Sequence, residues 1–344
     1  MGYDRGASRV GPSGPPAWKR GVAVAPLYAA ALLLSYFVLS AGVYWAGAAR
    51  VPYGLEHGEG LVLADAVQLA SGKSPYRTLD DYPFLVGNYP PLYLLANAVA
   101  IRMWGFSPLY GRLLSLLSLA VSAALVILIA RRLEVPWLAA VLGALYYLAI
   151  PSVRASGPLV RVDMVAAALS FAGIAWLLSR EDGKAVVGPA VCFAAALSAK
   201  HSMVAAPAAA LVWLVWHDRR RAWRLALWTG GLTLGWLSAC WAVFGSVFFL
   251  NIGPYTMGVP WMWNRLVDAW EIWLGVWYLP ALVATVAFAA WALAKGGSRD
   301  RLVGLYGLAA AGTIVLLAKE GSSDFYLMEY SIAGSLVLAC SLGR

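Results

Sequence analysis

Charge is scarce in this sequence. Of its 344 residues, 26 are Lys or Arg, 17 are Asp or Glu and 3 are His, so only 12% are charged. A soluble domain carries roughly twice that share. Hydrophobic residues make up 61%, and the mean hydropathy is +0.70. This composition excludes a soluble globule, which would leave too much apolar surface in water. It also excludes intrinsic disorder beyond the N-terminal tail, because disordered chains are polar and highly charged. Cysteine is nearly as rare: Cys192, Cys240 and Cys340 all sit in apolar runs. They give neither a disulfide framework nor a metal-ligand spacing and read as small core residues. What remains is a polytopic membrane protein, an all-α bundle of transmembrane helices.

The first sixteen residues are rich in Gly, Pro and Ser, and residues 1–20 are expected to form a disordered cytoplasmic tail. A transmembrane domain over 21–344 follows. Its first apolar run holds no charge over the 29 residues between Arg20 and Arg50. That is too long for a signal-peptide core, so it reads as a retained span. Further uncharged stretches separate Arg112 from Arg131, Glu134 from Arg154, Asp163 from Arg180, and Lys184 from Lys200. Others run from Lys200 to Asp218, within Arg224 to Arg265, from Glu271 to Lys295, from Arg301 to Lys319, and from Glu329 to the end. Each approaches the roughly 17–25 residues that cross a bilayer, which gives about ten spans. No internal repeat of helix scale stands out, so an inverted-repeat transporter gains no support.

Placing the N-terminus in the cytoplasm puts 16 of the 26 basic residues and 6 of the 17 acids in cytoplasmic segments. Their net charge is +10, against −1 on the other face. The chain's formal +9 is therefore a positive-inside signature and not a nucleic-acid surface. The expected setting is the plasma membrane, multi-pass. This orientation requires that Pro90–Gly105, apolar but interrupted by Arg102, does not cross. That segment and Gly58–Ser71 read as helices lying along the outer interface. Both belong to the first outer loop, about 49–107, the longest connection in the chain. Long loops without a domain of their own are usually functional.

The loop carries motif-like sequence. Glu56-His57-Gly58-Glu59-Gly60 is followed by Ala70-Ser71-Gly72-Lys73-Ser74-Pro75-Tyr76-Arg77 and by Asn88-Tyr89-Pro90-Pro91-Leu92-Tyr93. Trp104-Gly105-Phe106-Ser107 and Gly111-Arg112-Leu113-Leu114-Ser115 open the next span; Arg161-Val162-Asp163-Met164, Ala199-Lys200-His201 and the stretch Gly321 to Glu329, GSSDFYLME, come later. In order and spacing this set resembles the polytopic GT-C glycosyltransferases. It is most similar to their bacterial polyprenyl- or dolichyl-phosphate-sugar mannosyltransferase-like and aminoarabinose-transferase-like branches, over nearly the whole chain. His201 stands where that family usually has Gln or Thr. The chain ends about where many members continue with more spans or a soluble domain, so a minimal or shortened member is expected.

The resemblance implies a GT-C-like fold and transfer of one sugar from a polyprenyl-phosphate donor to an acceptor hydroxyl at the outer membrane face. The acceptor would be a glycan, a lipid or a protein, and membrane lipids are further partners. An inverting route follows by analogy alone. An acceptor hydroxyl must shed its proton as the new bond forms, and a positioned carboxylate can take it. By position Glu59 is the expected base, with Glu56 in reserve. The leaving lipid phosphate needs cations at the interface. Arg112, Arg161 and Lys200 are the expected donor-phosphate contacts. Asp163, at the mouth of an apolar helix, must be paired or liganded; one option is a divalent cation, Mg²⁺ or Mn²⁺. Tyr89, Pro90 and Pro91 are expected to shape the loop. Tyr255, Trp261, Trp263, Trp270, Trp273 and Trp277 crowd a late outer loop and read mainly as headgroup anchors. Two other classes compete: a transporter or flippase of lipid-linked glycans, and a non-catalytic membrane subunit with the same fold.

Overall fold

The computed structural model describes residues 17–80, 84–179, 185–271 and 275–344. Residues 1–16 of the expected tail, most of the loop at 179–184, and Trp273 lie outside the described residues. The chain enters as α1 (Ala17–Arg50), so helix begins inside the expected tail. Two helices of the first long loop come next, α2 (His57–Ala70) and α3 (Leu92–Trp104). Then follow α4 (Leu109–Arg132), α5 (Trp137–Ala149), the short α6 (Pro151–Ser156), α7 (Val162–Ser179), α8 (Val187–Ala199), α9 (Ala205–His217) and α10 (Arg219–Phe244). The short α11 (Ser246–Leu250) and α12 (Asn264–Ala269) lead into α13 (Leu279–Lys295), α14 (Ser298–Gly312) and α15 (Met328–Leu342). Among the described residues the β-structure amounts to one isolated bridge, Trp261 to Lys319.

Proline and glycine set many of these boundaries. Pro108 and Pro136 immediately precede α4 and α5, and Pro151 opens α6; the missing N–H of proline costs nothing in a first turn. Gly105 and Gly245 follow α3 and α10 at φ of 86° and 72°, a region that penalises any Cβ.

Among the described residues six segments are long and apolar enough to cross a membrane: those holding α1, α4, α7, α10, α14 and α15. The remaining stretches predicted from charge spacing hold the shorter apolar helices α5, α8, α9 and α13. α7 and α15 form the interior, while α1 and α10 lie at the periphery and turn most of their surface outward. Small residues allow close approach in the interior, as is general for membrane helices. A Cβ on Gly143 of α5 would press on Ala339 and the Ser335 carbonyl of α15.

The two ends of the bundle differ. At one end Arg344 pairs with Asp300 at 2.6 Å, the Trp213 indole donates to the Ser298 carbonyl, and Arg131 donates to the Val135 carbonyl. Arg132 and Arg299 lie beside Arg344 here. At the other end α2 and α3 pack on each other through Val62, Leu63, Tyr93 and Leu94, against Val160 and Val162. The motif-bearing residues lie at this second end.

Candidate active site

Glu56 begins the site by ending the loop before α2. Its backbone is extended, and its side chain accepts the Glu59 N–H at 3.0 Å, as an N-cap does. Gly58 on the first turn is required by its neighbour: a Cβ there would overlap the Arg161 guanidinium.

One turn further on, Glu59 is fully buried and fully bonded. Its Oε1 accepts from Arg112 Nε at 2.9 Å and from the Val160 N–H at 2.8 Å. Its Oε2 accepts from Arg112 Nη2 at 2.9 Å and from the Leu55 N–H at 2.5 Å. Burial pushes this carboxyl up, but the bonds from Arg112, Leu55 and Val160 outweigh it and hold the group below the usual carboxylate range. Arg112 is equally enclosed. Its remaining donors reach the carbonyls of Ala48, Val51 and Tyr53 at 2.7, 2.5 and 2.7 Å. The pair ties the end of α1, the first loop, α4 and the turn before α7 into one knot. The sequence expectation made Glu59 the base and Arg112 a phosphate contact; here each spends its hydrogen bonds on the other and on the backbone. Neither Glu59 as a base nor Arg112 as a phosphate contact has an open atom to offer.

The other expected residues converge in front of this knot. Arg161 Nη1 meets Glu56 Oε2 at 3.2 Å, its Nε meets Asp163 Oδ2 at 3.3 Å, and its Nη2 donates to the Tyr89 hydroxyl at 3.3 Å. The Phe325 ring lies 3.7 Å from the guanidinium carbon, a cation–π contact. Lys200 Nζ bonds the other Asp163 oxygen at 2.5 Å and lies 4.4 Å from the centre of the Tyr326 ring. Asp163 thus satisfies the rule that an acid in an apolar helix needs partners. It does not fit a metal: both its oxygens are held by cationic side chains. Among the described residues no three His, Cys, Asp or Glu gather to hold an ion.

Two cavities flank Arg161 and share Asn88, Tyr89, Gly321, Ser323 and Phe325 in their walls. The first, about 210 Å³, holds more positive than negative charge: Arg161, Lys200 and Lys319 line it against the single acid Glu320, beside His201, Tyr255 and Thr256. Among the described residues Lys319 Nζ makes a single hydrogen bond, to the Thr256 carbonyl at 3.0 Å, and burial lowers its pKa. Burial together with Lys200 and Lys319 pushes the His201 imidazole down to about 4, so it is neutral at pH 7. The second cavity, about 220 Å³, is lined by Glu56 and Asp65 on α2.

Sequence reading missed Lys319, Asp65 and Asn251, and it had Phe325 only as part of the GSSDFYLME segment. Lys319 ends an apolar run directly before GSSDFYLME, a usable signal. Asn251, fully buried, accepts the Gly87 N–H and donates to the Arg77 carbonyl; it pins the first loop to α11. Pro91 stands at the N-cap of α3, and Tyr89 contacts Arg161 as well as shaping the loop. Glu329, the acid of the Tyr-x-x-Glu segment, caps α9 from α15 by accepting the Ala206 N–H at 3.1 Å and the Ser170 hydroxyl at 2.6 Å. Of the aromatics, Trp261, Trp263 and Trp270 are exposed, Tyr255 lines the first cavity, and Trp277 packs edge-on to Phe37 of α1.

No family model and no curated protein matches this chain. Solved structures do match it. ArnT from Cupriavidus metallidurans bound to undecaprenyl phosphate superposes at a TM-score of 0.67 with 18% identity, over 91% of this chain and 60% of its own. The apo state of the same ArnT gives 0.60 and 16%, over 92% and 60%. This chain therefore spans about 60% of the length of the ArnT chain it matches. The likeness is one of fold: this chain shares the helical architecture of ArnT.

Proposed function

We propose that the protein transfers a sugar from a polyprenyl-phosphate donor to an acceptor hydroxyl, with the site at the outer boundary of the plasma membrane. The observation that carries this reading is the net-positive cavity lined by Arg161, Lys200 and Lys319 at the end of an otherwise apolar bundle. Such a cavity suits a lipid phosphate. The match to an ArnT structure bound to undecaprenyl phosphate supports the donor class.

In this reading the phosphate sits in the first cavity. Lys319, bonded to the Thr256 carbonyl, and Lys200 take its charge. Arg161 stands between the two cavities, at the bond to be broken. Glu56 is the base. Its side chain is 39% exposed, it lines the second cavity, and its Oε1 has no partner among the described residues. The acceptor oxygen attacks the anomeric carbon, the bond from that carbon to the phosphate oxygen breaks, and polyprenyl phosphate leaves with the electron pair. The acceptor proton passes to Glu56. Glu59 and Arg112 act at one remove, by holding α2 in place. The ionisable residues Arg112, Asp163 and Glu329 all lie in first turns at the site end; a flippase would need them near mid-bundle.

The test is to purify the protein in lipid nanodiscs and supply a panel of polyprenyl-phosphate sugars. Release of polyprenyl phosphate by wild type, with a raised apparent donor KM in Lys319→Ala, is the expected result. No release from any donor would remove the transferase reading.

A further inference from the structure

The second cavity has a different chemistry from the first. Its volume of about 220 Å³ falls below the roughly 300–1,000 Å³ of sites for drug-sized ligands, a scale suited to one sugar ring. Three of its wall residues are Glu56, Asp65 and Arg161. Glu56 is answered by Arg161, which is answered in turn by Asp163 and by the face of Phe325. Asp65 stands apart. Its carboxyl is half-buried, the compensating charge is that of Arg77, and among the described residues it has no hydrogen-bonding partner. Burial pushes it up to about 7, so near neutrality it both donates and accepts. The cavity therefore offers hydrogen bonds and carries little net charge. Leu61 and Val62 supply an apolar patch beside Asp65.

The geometry points to an acceptor subsite in this second cavity that takes an uncharged sugar ring. Neighbouring hydroxyls bond Asp65 and Asn88, the C–H face of the ring meets Leu61 and Val62, and the reacting hydroxyl reaches Glu56. The charged walls, Glu56 and Arg161, already answer each other, so a phosphate, carboxylate or ammonium on the ring loses its hydration without gaining an unpaired counter-charge. This rests on the transferase reading, and it adds the class of acceptor.

The test reads binding, so that it stands apart from turnover. The full-length protein in nanodiscs is titrated with methyl hexosides, their 6-phosphates and their 2-amino analogues, followed by saturation-transfer NMR. Neutral methyl hexosides are expected to bind, and both charged series to bind more weakly. Asp65→Leu is expected to weaken the neutral series about tenfold or more, the effect of losing a hydrogen bond to a charged or polar group. Asp65→Asn, which keeps the shape and the hydrogen bonds, is expected to retain most of the binding. The proposal is overturned if no methyl hexoside binds, if a charged series binds as well as the neutral one, or if Asp65→Leu binds like wild type. Failure of the transferase reading shows separately, as absence of polyprenyl phosphate release whatever the hexosides do.

Discussion

Arg112 holds the two carboxylate oxygens of Glu59 at 2.9 Å each, and neither side chain meets solvent. One turn earlier, Glu56 faces a cavity beside Arg161. Two acids three residues apart thus differ in setting: the inner one fastens the loop and the outer one faces the second cavity.

Removing half of the buried pair should therefore unfold the site rather than slow a chemical step. Glu59→Gln leaves the Arg112 charge without its counter-ion, a change that costs about 3–5 kcal/mol in buried pairs. We expect a marked fall in Tm in detergent or nanodiscs and a low folded yield. Replacing both residues by Met should recover part of the loss, because no charge is then stranded. A Glu59→Gln protein that melts like wild type contradicts the fastening role.

The same pair predicts an acid limb of stability. Glu59 has a folded pKa below the ordinary 4.5, because the Arg112, Leu55 and Val160 bonds outweigh its burial. Such a group contributes its full stabilisation above 4.5, and the contribution is lost as pH falls through the lower folded value. Wild-type Tm should drop on acidification below about 4.5, and the Glu59→Gln variant should lack that part of the drop.

Much of the architecture was legible because charge is rare, and most of the uncharged stretches contain one long apolar helix of the bundle. The motif segments were legible as a set, since Glu56, Tyr89, Arg161, Lys200 and the Phe325–Tyr326 segment do converge. The choice between Glu56 and Glu59 was not. It depends on where α2 begins, and a shift of one turn exchanges the buried and the open acid. Nor does a sequence reveal that Arg112 spends its donors on carbonyls of the α1–α2 turn, which lie more than fifty residues away. Lys319 and Asp65 were missed because their significance depends on cavities formed by distant segments.

Gly58 supplies a third prediction. A methyl group at this position would overlap the Arg161 guanidinium and push it off Glu56 and Asp163. Displacements of about 1 Å at a reacting centre cost on the order of 10²-fold in rate. Gly58→Ala should lose activity on that scale while Tm changes little, since the knot behind it is untouched. Full activity in this variant would show that the position of Arg161 does not matter.

His201 should stay uncharged across the working range. Its imidazole is pushed down to about 4 by burial and by Lys200 and Lys319. In a sample labelled at histidine, its ring signals should not titrate near 6.5, and His201→Gln should leave the shape of the pH–rate profile unchanged. Titration near 6.5 would place the ring in open solvent.

The base is the central claim, and one comparison reaches it directly: single-turnover rates on a verified donor for Glu56→Gln, each normalised to folded protein. The side chain keeps its size and can still accept the Glu59 N–H, but it cannot take a proton. General-base assistance is worth about 10²–10⁴ in rate, so the variant should fall by that factor with donor binding little changed. A folded Glu56→Gln protein that turns over donor and acceptor at the wild-type rate contradicts the account.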